Sequence, residues 1–401
     1  MSENTPNTPE NAVPAAPRKK RRRKSAIPLL IRWVVIALLA LSIILLLVFN
    51  RENLTLTGLK NWVLGEDEGP GYPITLTDGS VAFQNFLVEN GEPAVVSSTT
   101  FLLLDHSGKE LSLRQHGYTT PVMERWGDNF LIYDLGNKSF RVSTDGSSFT
   151  ETPQFEHSIY CGAIAKNGNY AIASASDGYT SQLKVYDRNG RLLFEWASQQ
   201  YLISTVSFSP NGKYIVASGF ASQSGSLKTV INVFAFNKNE PLASHTLDGC
   251  VMLDVIFNDN DTVTAIGDTC AARFTVGKGL QVYDYQGLTL SAYDLTRSDG
   301  AVLALSASSD GRVGSLILLN NDFEAHTVTR FEQALDSIQR YGSHLVLLSD
   351  GTLSVLDNDG GTVFYADAGV DAVKAECNKD VCYILGAGEI RTVQLDLPKG
   401  K

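Results

Sequence analysis

One short turn recurs along this chain at nearly even spacing. Leu104-Asp105-His106-Ser107-Gly108, Tyr186-Asp187-Arg188-Asn189-Gly190, Tyr283-Asp284-Tyr285-Gln286-Gly287 and Leu356-Asp357-Asn358-Asp359-Gly360 each follow an apolar run and precede another. In such a turn the Asp side chain accepts hydrogen bonds from the turn amides and Gly takes the positive φ, so each copy predicts a hairpin. Looser copies stand at Val142-Ser143 to Gly146, Phe236-Asn237, Leu319-Asn320 and Leu395-Asp396. The eight turn starts, at 105, 143, 187, 237, 284, 320, 357 and 396, are separated on average by about 42 residues, a period that belongs to arrays of like modules.

A second turn runs in step upstream of each: Asn90-Gly91, Gly127-Asp128, Asn167-Gly168, Asn211-Gly212, Asn260-Asp261, Asp310-Gly311, Gly342-Ser343 and Lys379-Asp380. We read these as joining the two inner strands of each module. The fourth module shows four strands, Ser204–Ser209, Tyr214–Ser218, Thr229–Phe236 and Leu242–Leu247. No helix-period stretch exceeds two turns from about residue 73 onward, so the domain is expected to be all-β. Four-stranded modules at this period predict a β-propeller, with eight blades favoured and seven the alternative if blade two or six is degenerate. The last blade would end after three strands and leave a bare edge. Ile74–Thr77, just ahead of blade one, is the expected fourth strand that closes the ring.

Two segments carry a family resemblance. Ser209-Pro210-Asn211-Gly212-Lys213-Tyr214-Ile215-Val216-Ala217-Ser218 resembles the inner hairpin of a WD40-type blade. Asp187-Arg188-Asn189-Gly190-Arg191-Leu192-Leu193-Phe194-Glu195-Trp196 resembles a quinoprotein-type outer hairpin with its docking Trp. A single blade has that Trp, and none has the Gly-His to Trp-Asp pairing of WD40 repeats, so neither family's ligand set carries over. The layout also resembles an uncharacterised, domain-of-unknown-function family of bacterial single-pass membrane proteins with an extracytoplasmic propeller.

The N-terminal region has a different composition. Residues 1–25 are a polar stretch of Asn, Thr, Pro, Glu and Ala followed by seven unbroken basic residues, Arg18 to Lys24; we expect a disordered cytoplasmic tail. Ile27 to Phe49 contains one charge, Arg32, and as a helix would span roughly 34 Å, enough to cross a bilayer. Residues 26–49 are therefore expected to be a transmembrane helix in contact with lipid. The run ends in Val48-Phe49-Asn50-Arg51 and lacks the small residues of a signal-peptidase site, which favours an uncleaved signal anchor. The flanking basic cluster predicts a cytoplasmic N-terminus in the plasma membrane and an extracytoplasmic domain beyond it. Residues 50–72 read as a juxtamembrane connector and 73–401 as the propeller. The net charge of −10 conceals an asymmetry: the first 32 residues hold eight basic and two acidic residues, the rest 25 basic and 41 acidic. That acidic domain would repel phosphates, so nucleic acid is not an expected partner.

Catalytic motifs are not evident. There is no His-Glu-x-x-His, Gly-x-Ser-x-Gly or Walker-type loop, and the six His are dispersed over different blades without metal-ligand spacing. No cofactor or metal is therefore expected. Ser143-Thr144-Asp145-Gly146-Ser147-Ser148-Phe149 resembles a shortened Asp-box of sialidase-type propellers, a structural motif even there. Asn258 to Asp261 and Asp357 to Gly360 carry oxygen ligands but lack the length of a calcium loop. Of the five Cys, Cys377 and Cys382 bracket the last inner hairpin and are candidates for a cross-strand disulfide, and Cys250 and Cys270 can pair within blade five.

Three successive second-to-third-strand connections read as long loops, Ser174–Gln182, Gly219–Thr229 and Gly267–Gly279. Asp177, Tyr179, Gln223, Lys228 and Arg273 on them are the candidate contact residues for an envelope protein or a glycan. The expected function is a membrane-anchored, extracytoplasmic binding or scaffolding module and not an enzyme. The alternative is a quinoprotein-like or glycan-hydrolysing propeller.

Overall fold

The structure is a computed structural model of the chain, and it describes residues 69–397 apart from 78, 152–154, 297–299 and 309. The expected tail, the expected transmembrane helix and most of the connector lie outside the described residues. Among the described residues there are no helices, and the strands form eight four-stranded antiparallel sheets. Seven sheets take their strands in chain order. The eighth joins Lys374–Asn378, Val381–Leu385 and Glu389–Gln394 to Ile74–Thr75, which pairs antiparallel with the last of these as Ile74↔Ile390 and Thr75↔Glu389. The protein is an eight-bladed β-propeller closed by its N-terminal strand.

The first strands of the blades are Val81–Glu89, Pro121–Trp126, Ile159–Ile164, Leu202–Phe208, Met252–Phe257, Thr289–Thr296, Ser337–Tyr341 and Lys374–Asn378. Each touches the first strand of the next blade, and the eighth touches the first, so together they form the inner ring. Second strands sit between neighbouring blades and are buried on both faces. Thr262–Gly267 and Gly300–Ser306 are buried at every position, whereas the outermost strand Ala243–Asp248 alternates half-buried and exposed. Continuous apolar runs and alternating runs in the sequence thus report radial position.

The core is a set of seams between blades. Ala163, Ala173, Leu183 and Val185 of blade three pack with Phe208, Ile215 and Phe234 of blade four, and Val302, Leu316 and Val328 of blade six pack with Leu345 and Leu356 of blade seven. Each fully buried large apolar side chain contributes about 1.5–3 kcal/mol of transfer free energy. Side chains of the inner ring also reach backbone of the next blade. Asn85 accepts from Met123 N at 3.0 Å and donates to Pro121 O at 2.7 Å. Asp294 accepts from Arg340 N at 2.6 Å, Gln339 from Cys377 N at 2.6 Å and Ser337 from Ala375 N at 3.0 Å. At the closing seam, Lys374 Nζ donates to Phe86 O at 2.8 Å and pairs with Glu376 at 2.8 Å. Tyr72, just ahead of the closing strand, donates to Asp105 O and stacks edge-on against Tyr383.

The recurrent turns have the expected chemistry. Asp105 Oδ1 accepts from Ser107 N at 2.7 Å and Lys109 N at 2.9 Å, Asp187 Oδ1 from Asn189 N and Arg191 N, and Asp357 Oδ1 from Asp359 N and Gly361 N. Three assignments are corrected. The turn at Asp284 to Gly287 has the same chemistry, with Gln286 N donating to Asp284 Oδ1 and both Gln286 and Gly287 at positive φ, but it joins blade five to blade six. Asp310-Gly311 lies between the second and third strands of blade six, not between its first two. The expected loop Gly267–Gly279 contains the strand Cys270–Thr275, leaving only Asp268 and Thr269 as the second-to-third-strand connection. Cys377 and Cys382, directly opposite each other in the last inner hairpin, are joined by a disulfide.

Candidate functional site

Antiparallel strand order places the second-to-third-strand turns and the connections between blades on one face of the ring, and the other turns on the opposite face. Four of the five candidate contact residues lie on the first of these. Asp177 is at the tip of the Asp177-Gly178 turn of blade three with its side chain fully exposed, 3.8 Å from His157 Nε2, and Tyr179 begins the next strand 46% exposed. In blade four the expected loop Gly219–Thr229 is instead an extension of the hairpin. Strands Tyr214–Gln223 and Ser226–Ala235 pair throughout, down to Gln223↔Ser226, around the two-residue turn Ser224-Gly225. Both turn residues are at positive φ, 51° and 79°, the geometry of a tight hairpin turn.

This hairpin outruns its own blade. The first strand stops pairing at Leu202↔Phe220 and the fourth at Lys228↔Asp248. The tip from Ala221 to Leu227 consequently has no strand on either side and carries Gln223. At its base Lys228 Nζ lies 2.5 Å from Asp248 Oδ1, and Gly249 N donates to Leu227 O. Arg273 is elsewhere. It sits within the strand Cys270–Thr275, and its guanidinium donates to Asn320 O, part of a third-to-fourth-strand turn on the opposite face.

A cavity of about 480 Å³ opens beside the hairpin base, between the blade four–five and blade five–six connections. Its wall combines apolar Leu247, Val282 and Leu288 with the carboxylates of Asp248, Asp268 and Asp284, and Cys270 lines it. Val282 and Leu288 are 48% and 37% exposed. Asp268 is partly committed to structure, accepting from Val251 N at 2.8 Å. A second cavity, of about 390 Å³, lies against the ring-closing strand and is lined by Ile74, Leu76, Val95, Leu102 and Leu104.

The sequence reading did not single out the acidic residues of the inner ring, Glu124, Asp254, Asp294 and Glu376, which sit on the first strands of blades two, five, six and eight. Burial, with Asp254 adding to it, pushes the Glu124 carboxyl up to about 8. Burial likewise raises Asp294 to about 7 against the opposing hydrogen bond from Arg340 N. Asp294 and Glu376 are held in the seams described above. The local signal was a lone carboxylate among apolar neighbours in each first strand, as in Val122-Met123-Glu124 and Met252-Leu253-Asp254.

The remaining motifs resolve into structure. Asp145 is held down at about 2: burial opposes ionisation, but hydrogen bonds from Ser148, Ser147 and Ser143 outweigh it. Phe149 packs edge-on against Phe101 at 4.9 Å, which is the cap-and-aromatic arrangement of an Asp-box hairpin. Asp259 Oδ1 accepts from Asp261 N and Thr262 N, as a turn residue does. Among the described residues no cluster of three or more His, Cys, Asp or Glu has metal-binding geometry.

A family model described as a family of unknown function, DUF5711, matches residues 79–279, from the start of blade one into the last turn of blade five. No curated protein matches the sequence significantly. Among solved structures the chain is similar to BamB from Moraxella catarrhalis, at 13% identity and TM-score 0.51, covering 84% of this chain and 97% of that one. It is also similar to Sqt1 from Saccharomyces cerevisiae, at 11% identity and TM-score 0.57, covering 82% and 98%. At these identities the likeness is one of fold, and at that level the resemblance to WD40-like and quinoprotein-like propellers holds.

Proposed function

The chain belongs to DUF5711, a family of unknown function, and we propose that it is a membrane-anchored, extracytoplasmic binding module of the cell envelope rather than an enzyme. Residues 26–49 would cross the plasma membrane with the basic cluster on the cytoplasmic side, and the propeller would present one face to an envelope protein or glycan. One observation carries this reading. The blade-four hairpin extends as a paired tip from Ala221 to Leu227 that adds no strand pairing to its blade. A feature that contributes little to the ring's own packing, beside a cavity with exposed Val282 and Leu288, is a contact surface of the kind that interfaces use. Asp177 and Tyr179 on the adjacent blade extend the same face.

A glycan-hydrolysing enzyme is the second reading. It draws on Glu124, whose raised carboxyl faces the charge of Asp254, since a protonated carboxyl near an ionised one is the starting condition for acid catalysis on a glycosidic bond.

In-cell crosslinking of the tagged full chain followed by mass spectrometry tests the first reading. The wild type is compared with a variant in which Ser222–Leu227 is replaced by Asn-Gly, so that the partners Ala221 and Lys228 flank the new turn. Loss of a specific envelope partner in the variant is the expected result. An unchanged set of captured proteins refutes the role given to the hairpin.

A further inference from the structure

Two cysteine sulfurs meet at the entry to blade five. Cys250 lies in the connection from blade four to blade five, 1% exposed, and Cys270 opens the third strand of blade five, 6% exposed. Their Sγ atoms are 2.9 Å apart, well inside non-bonded contact for two sulfurs and less than an ångström from the length of an S–S bond. The seat is fitted to the pair. A Cβ on Gly267 would collide with Cys250 Sγ, so only glycine leaves room there, and the Cys250 backbone is held by Thr229 Oγ1 donating to its carbonyl. Cys270 is one of the residues that line the 480 Å³ cavity and Cys250 is not, so the cavity is the side from which a reagent would approach the pair. The third free cysteine, Cys161, is buried in the seam between blades three and four.

We propose that Cys250 and Cys270 are a redox-active pair that closes to a second intrachain disulfide by exchange with a disulfide-bearing oxidant such as glutathione disulfide or an oxidised dithiol protein. The Cys270 thiol donates to the Cys250 sulfur, and that hydrogen bond, with others from Thr269, holds the Cys250 thiol down at about 7, near the range where exchange is fastest at neutral pH. The same hydrogen bond, with burial, pushes the Cys270 thiol up, so once the pair has lost one proton the charge rests on Cys250 and the remaining proton lies between the two sulfurs. Transfer of that proton to Cys250 leaves Cys270 as the thiolate, which attacks one sulfur of the oxidant, breaking the oxidant's S–S bond and releasing one thiol. Cys250 Sγ next attacks Cys270 Sγ, the mixed disulfide breaks, and the second thiol leaves. Two electrons and two protons have passed to the oxidant. The cross-link ties the connection at the base of the blade-four hairpin to the strand lining the cavity, so it fixes one wall of the proposed contact face.

The test uses the full chain purified without reductant, treated with dithiothreitol, then exposed to glutathione disulfide, unfolded in an alkylating reagent and mapped by peptide mass spectrometry. The expected result is a Cys250–Cys270 linked peptide, with Cys161 remaining as the alkylated cysteine. Cys377–Cys382 serves as an internal control. Closure of Cys377–Cys382 with Cys250 and Cys270 both alkylated overturns the proposal. The extracytoplasmic placement is read separately, from protein alkylated in intact cells. If both pairs are reduced there yet both close in vitro, the location is wrong and the thiol pair stands. Cys250→Ser confirms the assignment by trapping Cys270 as its mixed disulfide with glutathione, because the resolving thiol is gone; Cys270 found alkylated in that variant overturns the order of attack.

Discussion

Substituting Lys374 by Met tests whether the ring is latched by a buried charge. Lys374 is 8% exposed. Its ammonium lies 2.8 Å from Phe86 O in blade one and 2.8 Å from Glu376 in blade eight, and sits 4.8 Å from the centre of the Phe83 ring. At an effective dielectric constant of ~20 the Lys374–Glu376 attraction is of order 6 kcal/mol before desolvation, and desolvation consumes most of it. What the single variant reads is therefore the penalty of leaving Glu376 uncompensated near Asp294, whose carboxyl already responds unfavourably to Glu376. Breaking one side of such a pair costs about 3–5 kcal/mol. At about 2 °C per kcal/mol for a domain this large, the thermal midpoint should fall by roughly 6–10 °C. Thermal unfolding of the full chain followed by far-ultraviolet circular dichroism measures it. The decisive comparison is Lys374→Met with Glu376→Leu: removing both charges should restore most of the loss, because an apolar pair of similar volume carries no stranded charge. If the double variant is as unstable as the single one, or the single variant melts within 1 °C of wild type, the latch argument is wrong.

Three further outcomes follow from the geometry. Glu124 and Asp294 have folded-state pKa values raised to about 8 and about 7. The folded state therefore binds more protons than the unfolded state between roughly pH 4 and 8, and stability falls as pH rises through that window; Asp294→Asn should stabilise by on the order of 4 kcal/mol at pH 8 and negligibly at pH 4, and equal effects at both would contradict the assignment. Replacing Cys377 and Cys382 by Ser should cost about 2 kcal/mol, since the two are only five residues apart and a short closed loop constrains the unfolded chain little; denaturant titration reads it, and a loss above about 4 kcal/mol would mean that the bond does more than close the hairpin. The Ser222–Leu227 replacement should leave the melting temperature within about 2 °C of wild type, because the strand pairing of the removed segment is internal to it and one backbone hydrogen bond, from Gly249 N to Leu227 O, is lost with it; a large drop would make the tip part of the ring's structure.

The blade count was legible because the determinant is local: an Asp or Asn side chain and a Gly settle a turn within five residues. The same locality produced the errors. Asp284 to Gly287 satisfies every local requirement of a hairpin turn, yet which strands it joins is settled by packing between blades five and six. Ser224-Gly225 went unrecognised because the turn lacks the Asn or Asp that usually occupies its first position, so a continuous hairpin read as a loop. The placement of Arg273 failed with it, since a two-residue connection at Asp268 and Thr269 moved that residue into a strand and toward the other face. The inner-ring carboxylates come from blades two, five, six and eight, and only closure of the ring brings Glu124 within electrostatic reach of Asp254.

The closing strand also imposes an order in time. Ile74 and Ile390 are partners more than 300 residues apart in sequence, and at about 5–20 residues per second of synthesis the first must wait roughly a quarter of a minute to a minute for the second. Throughout that interval blade one has no neighbour on its leading side, and Phe86, Val95 and Leu104, which pack with Tyr383, Leu385 and Ile390 in the finished protein, remain uncovered. Joining of the two ends thus cannot precede synthesis of the last blade. A nascent chain halted anywhere before residue 390 is an open arc with a sticky flank, which makes the last fifteen or so residues of blade eight the point at which quality control can tell a finished ring from an abandoned one.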